Sequence, residues 1–192
     1  MSKQVKTPEQ IKAELAAQTQ QLEIVASKLA KLDDTIKNAV TASATSMSEI
    51  EIIRLFNQSA LDMFTNLISI TTKLNVEPEC NIKGQKAIFK TALKANAALP
   101  LDKFTLVILE YAAEIYSQDE DCFMGMTIPD TKVTVGNEFS MIRSDMFKEL
   151  WKKLGTRDRE RIIAPITNLT TYAHIHFYKS MIDRAKGLKG KK

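Results

Sequence analysis

Small and apolar side chains recur at heptad spacing from residue 8 to residue 43. With Leu15, Leu22, Leu29 and Ile36 at the a positions, the d positions hold Ile11, Gln18, Val25, Leu32 and Ala39, and the pattern fades at Ser43. This spacing predicts one helix with a narrow apolar seam, too narrow to be covered by its own chain segment and so in need of a partner helix. Thr7-Pro8-Glu9-Gln10 supplies the start, with threonine as N-cap, proline at the first helical position and glutamine at N3. A helix over this length is about 50 Å long. Two partners fit the seam. A second copy of the chain would give a coiled-coil oligomer through Ile11, Leu15, Leu22, Val25, Leu29, Leu32 and Ile36, with Lys28 and Asp33 as the one g-to-e′ charge pair. Alternatively, the helix folds back as one wall of a bundle. The intermolecular coil is the leading expectation.

Further helical patterns follow. Residues 41–48, Thr-Ala-Ser-Ala-Thr-Ser-Met-Ser, are small and hydroxyl-rich, which predicts a hinge. Ser48 to Glu51 is a second capping box. Ile53, Phe56, Ala60, Phe64, Leu67, Ile70, Thr71 and Leu74 then carry a helix to about Leu74. Pro78 and Gly84 interrupt, and helix resumes over about 85–97 and again after Pro100 through Phe104, Val107, Ile108, Tyr111, Ala112 and Ile115. The alternating Thr131-Lys132-Val133-Thr134-Val135 predicts a loop or short hairpin. Phe147, Leu150, Trp151 and Leu154 share one face of a helix over about 140–154, and Gly155 stops it. Thr156 opens a last helix to about Lys186, with Pro165 either bending it or lying near its start. The string Asp62-Met63-Phe64-x-x-Leu67 recurs as Asp145-Met146-Phe147-x-x-Leu150, a match that any two buried helix faces would produce.

The expected architecture is all-α, with a coiled-coil oligomerisation helix over 1–45, a bundle-like helical domain over 46–182 and a basic tail over 183–192. Only 6 glycines and 5 prolines in 192 residues agree with helix over a many-stranded fold, and 44% hydrophobic content can fill a core. No run of about 20 apolar residues occurs, so no membrane insertion is expected. The polar start from Met1 to Gln10 and the unpaired spacing of Cys80 and Cys122 predict an intracellular protein, cytoplasmic or within a virus particle, that is not secreted.

Charge divides along the chain. Residues 99–140 hold two basic and eight acidic side chains, a balance of −6, whereas residues 141–192 hold thirteen basic and five acidic, a balance of +8. The C-terminal excess includes Lys148, Lys152, Lys153, Arg157, Arg184, Lys186, Lys189, Lys191 and Lys192, which could contact phosphates without regard to sequence. A solvated helix face with a solubilising tail explains the same residues.

Candidate chemistry is sparse. Asp119-Glu120-Asp121 lacks the further oxygen ligands of a calcium loop, and Met124 stands where such a loop needs glycine. His174 and His176 are two apart, which on a helix turns them about 200° from each other and forbids a shared metal. Cys122 follows three acids that would raise its pKa, not activate it. No catalytic residue, metal or cofactor is therefore expected.

Through Leu99-Pro100, Phe104, Tyr111, Ile115 and Asp119-Glu120-Asp121-Cys122-Phe123, then Leu150-Trp151-x-x-Leu154 and Ile163, the chain resembles uncharacterised all-helical proteins of large DNA viruses. The resemblance covers about the last 100 residues and leaves the N-terminal seam outside. It implies a viral origin and brings no activity or site. The expected function is that of a non-catalytic oligomeric structural or assembly protein, conceivably of a virus particle, whose partners are its own copies and other protein subunits. The alternative is a sequence-tolerant nucleic-acid-binding protein that uses the basic C-terminal region.

Overall fold

The computed structural model describes residues 7–121 and 144–189, and every regular element among them is helical. In chain order these are α1 (Pro8–Ala30), α2 (Asp34–Ser46), α3 (Glu49–Lys73), α4 (Glu77–Cys80), α5 (Ile82–Ala95), α6 (Leu99–Leu109), α7 (Ala112–Ser117), α8 (Ser144–Lys152) and α9 (Thr156–Lys189). The hairpin expected at 131–135 lies outside the described residues. No helix among them is long and apolar enough to cross a membrane.

The single long helix predicted over 8–43 is broken. The amides of Lys31 and Leu32 bond to the carbonyls of Lys28 and Leu29 at 3.1 and 3.2 Å, which tightens and ends α1. Asp33 then restarts the chain, its carboxylate accepting the Thr35 amide at 2.8 Å as the N-cap of α2. Conversely, the hydroxyl-rich stretch predicted to hinge is helical to Ser46. Thr41, Ser43, Thr45 and Ser46 each donate to the carbonyl four residues back, so their hydroxyls join the helix instead of competing with it. The real bend comes just after, where Ser48 accepts the Glu51 amide at 3.2 Å and opens α3 as its spacing predicted.

Two helices form the spine. α3 buries Ile52, Phe56, Ala60, Met63, Phe64, Leu67 and Ile70 along one side, and α9 packs along it while also touching α2, α6 and α7. Pro165 lies well inside α9, and it cannot return an N–H to the carbonyl of Arg161. The side-chain amide of Asn66 on α3 donates to that freed carbonyl at 2.8 Å, while Arg161 reaches the Asn66 Oδ1 at 3.4 Å. A local defect in one spine helix is thus satisfied by the other. Phe64 of α3 also meets Phe89 of α5, with ring centroids 5.4 Å apart.

One core spans the chain. It runs from Val25 and Leu29 of α1 and Val40 and Ala44 of α2 to Leu169, Ala173 and Phe177 of α9. The domain boundary expected at residue 45 therefore separates no independent cores: α2 packs on α9, and the amine of Lys179 donates to the Ala44 carbonyl at 3.4 Å.

Candidate interaction surfaces

The seam expected to pair two chains is divided by the fold. Val25 and Leu29 are fully buried and Leu32 nearly so, while Leu22 and Ile36 are half-buried against the same core. These five lie against their own chain, because the turn at Lys31–Asp33 swings α2 onto α9 and lets α1 lie on α6 and α7. Polar contacts fix that docking. Gln21 donates to the Glu110 carboxylate at 3.0 Å, and Lys28 donates to the Glu110 carbonyl at 2.8 Å while sitting 5.8 Å from the Tyr111 ring centre. The charge pair expected between Lys28 and Asp33 of neighbouring copies is therefore not available, since Lys28 is held at α6–α7 and Asp33 caps α2. Toward its start α1 behaves differently. From Thr7 to Gln20 every residue with a described side chain is exposed, and the side chains of Ile11 and Leu15 lie outside the description.

The basic C-terminal set is likewise divided. Lys148, Lys152, Lys153 and Arg157 gather where α8 turns into α9, whereas Arg184 and Lys186 stand near the other end of α9. A rise of 1.5 Å per residue puts Arg157 and Arg184 about 40 Å apart. Lys189 lies in the last turn without a described side chain, and Lys191 and Lys192 fall outside the described residues. Lys152 pairs with Glu149 at 2.7 Å, while Lys153 and Arg157 are exposed. Arg159 stacks 5.5 Å from the Trp151 ring centre, pairs with Glu120 and donates to the Leu154 carbonyl at 3.1 Å, so it works within the fold.

The fold also displays a basic helix face that the C-terminal charge excess obscured. Lys83, Lys86, Lys90 and Lys94 all lie on α5, at steps of three and four residues, and the chain from Cys80 to Leu101 contains no acidic residue. Steps of 100° per residue place the four within an arc of about 80°. Lys83, Lys90 and Lys94 are exposed, and Lys86 is half-buried with its amine on the Thr65 hydroxyl of α3 at 2.7 Å. The spacing was readable in the sequence.

The titratable groups sort by burial. His174 is completely buried, with its Nδ1 3.2 Å from the Tyr116 hydroxyl and its ring 5.1 Å from that of Tyr178, and its Nε2 has no hydrogen-bond partner among the described residues. Burial holds the imidazole neutral, with its pKa pushed down to about 4. His176 turns to α6 instead, where it lies 3.3 Å from Asp102. The two histidines thus face different neighbours. Burial pushes the half-buried Cys80 thiol upward, with Glu77 and Glu79 adding to the rise and Lys153 opposing it. Cys122 lies outside the described residues. Of the acidic run, Glu120 is occupied by Arg159. Among the described residues no three His, Cys, Asp or Glu side chains gather as a metal site.

Comparison with known proteins adds origin, not activity. No family model matches the chain, and no solved structure matches it. An uncharacterized protein of Acanthamoeba polyphaga mimivirus is 50% identical over 166 residues, which make up 86% of this chain and 92% of that protein. Such a match leaves 26 of the 192 residues outside it, so it begins no later than residue 27 and reaches well beyond the last 100 residues of the resemblance seen in the sequence. Wherever its ends fall, it takes in residues 27–166, and so α2 and α3. At this identity and coverage, the chain belongs to the family of that mimivirus protein.

Proposed function

We propose that this protein is a non-catalytic, self-associating structural or assembly protein of a large DNA virus, acting in the infected cell or within the particle. The feature that supports this reading is that the heptad spacing runs on through Ile11 and Leu15, ahead of the part of the seam that packs on the protomer's own core. The seam is spent on the protomer's own core from Leu22 onward, while the preceding turns, with Ile11 and Leu15 at the same heptad positions, show only exposed side chains where side chains are described. A helix that continues its apolar spacing beyond the body it packs on offers a short two-helix contact to another copy. Homology to a mimivirus protein supports the viral setting.

Light scattering on a sizing column tests the proposal with the full chain and with the double variant Ile11→Asp, Leu15→Asp. The expected result is an oligomer that becomes a folded monomer. A monomeric full chain, or an oligomer indifferent to both substitutions, would overturn it.

A further inference from the structure

We infer that the lysine face of α5 binds the sugar–phosphate backbone of nucleic acid without sequence preference. Lys83, Lys86, Lys90 and Lys94 span about 16 Å along the helix; of the residues exposed between them in sequence, Ala87 and Thr91 are small, and Ile88 lies at least about 120° round the helix from each lysine. None of the four amines forms an ion pair with a described residue. Two acids on neighbouring helices, Glu77 and Asp62, are engaged elsewhere, while Glu79 is exposed at the end of α4. Glu77 accepts the Ile82 and Lys83 amides at 3.3 and 3.0 Å, capping α5, and also takes the Thr71 hydroxyl at 3.2 Å. Asp62 on α3 receives the side-chain amide of Gln58 at 2.9 Å.

Lys153 and Arg157, exposed where α8 turns into α9, stand about 40 Å along α9 from Arg184 and Lys186, so the C-terminal basic residues form no continuous row of their own.

The chemistry of the face selects its partner. A membrane-surface helix needs large apolar side chains beside its lysines, and a protein partner needs an aromatic or aliphatic anchor. Ala87 and Thr91, which adjoin the row, provide neither, and the exposed Ile88 stands on another side of the helix. A row of flexible, unpaired ammonium groups gains its affinity from counterions released by a dense line of phosphates, which requires no apolar contact.

Fluorescence anisotropy of labelled single-stranded and duplex oligonucleotides of arbitrary sequence, titrated with the full chain across a salt series, provides the test. Four lysines predict a slope of log affinity against log salt of about −3.6 on duplex and about −2.8 on single strand. The quadruple variant Lys83→Gln, Lys86→Gln, Lys90→Gln, Lys94→Gln should abolish the binding while circular dichroism stays that of the native chain. The arginine quadruple should retain it. Should the glutamine variant fold poorly, Lys90→Glu and Lys94→Glu made singly, both at exposed positions, should each weaken binding at least several-fold. Absence of binding at low salt, equal binding by the glutamine variant, binding lost only on changing Arg184 and Lys186, or binding to phosphatidylserine vesicles in preference to oligonucleotides would each overturn the inference.

Discussion

The apolar seam of the N-terminal segment passes through two regions that differ in everything except their spacing. Val25, Leu29 and Leu32 of the seam are sealed in the core beside Val40 and Ala44 of α2, held by α6, α7 and α9, with Gln21 and Lys28 fastened to Glu110 at the near edge. From Thr7 to Gln20 the same heptad continues on a helix whose described side chains are all exposed. A repeating apolar pattern announces that a face is to be covered; whether its own fold or another copy covers it depends on how far the body reaches. The capped turn at Asp33 swings α2 onto α9, so that Val40 and Ala44 enter the same core as Leu29.

The comparison breaks most sharply at Leu29. Leu29→Asp places a carboxylate where the side chain is 1% exposed, and is expected to remove more than about 4 kcal/mol, enough to unfold a domain of ordinary stability. Leu29→Ala, read by urea denaturation, should cost about 3 kcal/mol. If either is tolerated, the buried half of the seam is not part of the core.

Acid is the next lever on the buried region. An unfolded imidazole takes up its proton near pH 6.5, whereas folded His174 does so only near pH 4, so protonation favours the unfolded chain. The stability that His174 confers in its neutral form is complete above pH 6.5 and falls by about 3 kcal/mol as pH drops to 4. Denaturation curves across this window should show the loss, and His174→Gln should flatten it. An unchanged slope in the variant would remove His174 from the account.

The spine offers a smaller effect. Asn66→Ala orphans the carbonyl that Pro165 freed, for an expected cost of about 2 kcal/mol, and pairing it with Pro165→Ala should recover much of that by restoring the helix's own bond. Additive losses would mean that the two residues act separately. Smallest of all, Ile11→Asp with Leu15→Asp should leave unfolding free energy within about 0.5 kcal/mol of the parent while changing the mass in solution. A large stability loss there would show that the first turns of α1 also belong to the body.

Much of the fold was legible locally. The Ser48 cap, the apolar face of α3 and the punctuation at Gly155 and Thr156 are features of neighbouring residues, and the helices form where these signals place them. The break at 31–33 was missed because heptad spacing runs unbroken through it, although Asp33 is a strong N-cap residue. The hinge at 41–48 was misplaced because serine and threonine weaken helices on average, but here bond back to their own carbonyls. Of the surfaces, the α5 row was visible as four lysines at helical spacing in an acid-free stretch, yet the larger C-terminal charge drew attention from it.

By itself, the sequence determined that the chain is helical, where most helices begin and end, and which face of each is apolar, since caps and periodicity act within a turn or two. Only the tertiary structure decided that Val25 and Leu29 meet their own chain, that Asn66 repairs the carbonyl opposite Pro165, and that Lys28 is fastened to Glu110. Those outcomes depend on contacts between residues far apart in the chain, and the energy of such contacts leaves no pattern in the stretch of sequence on either side.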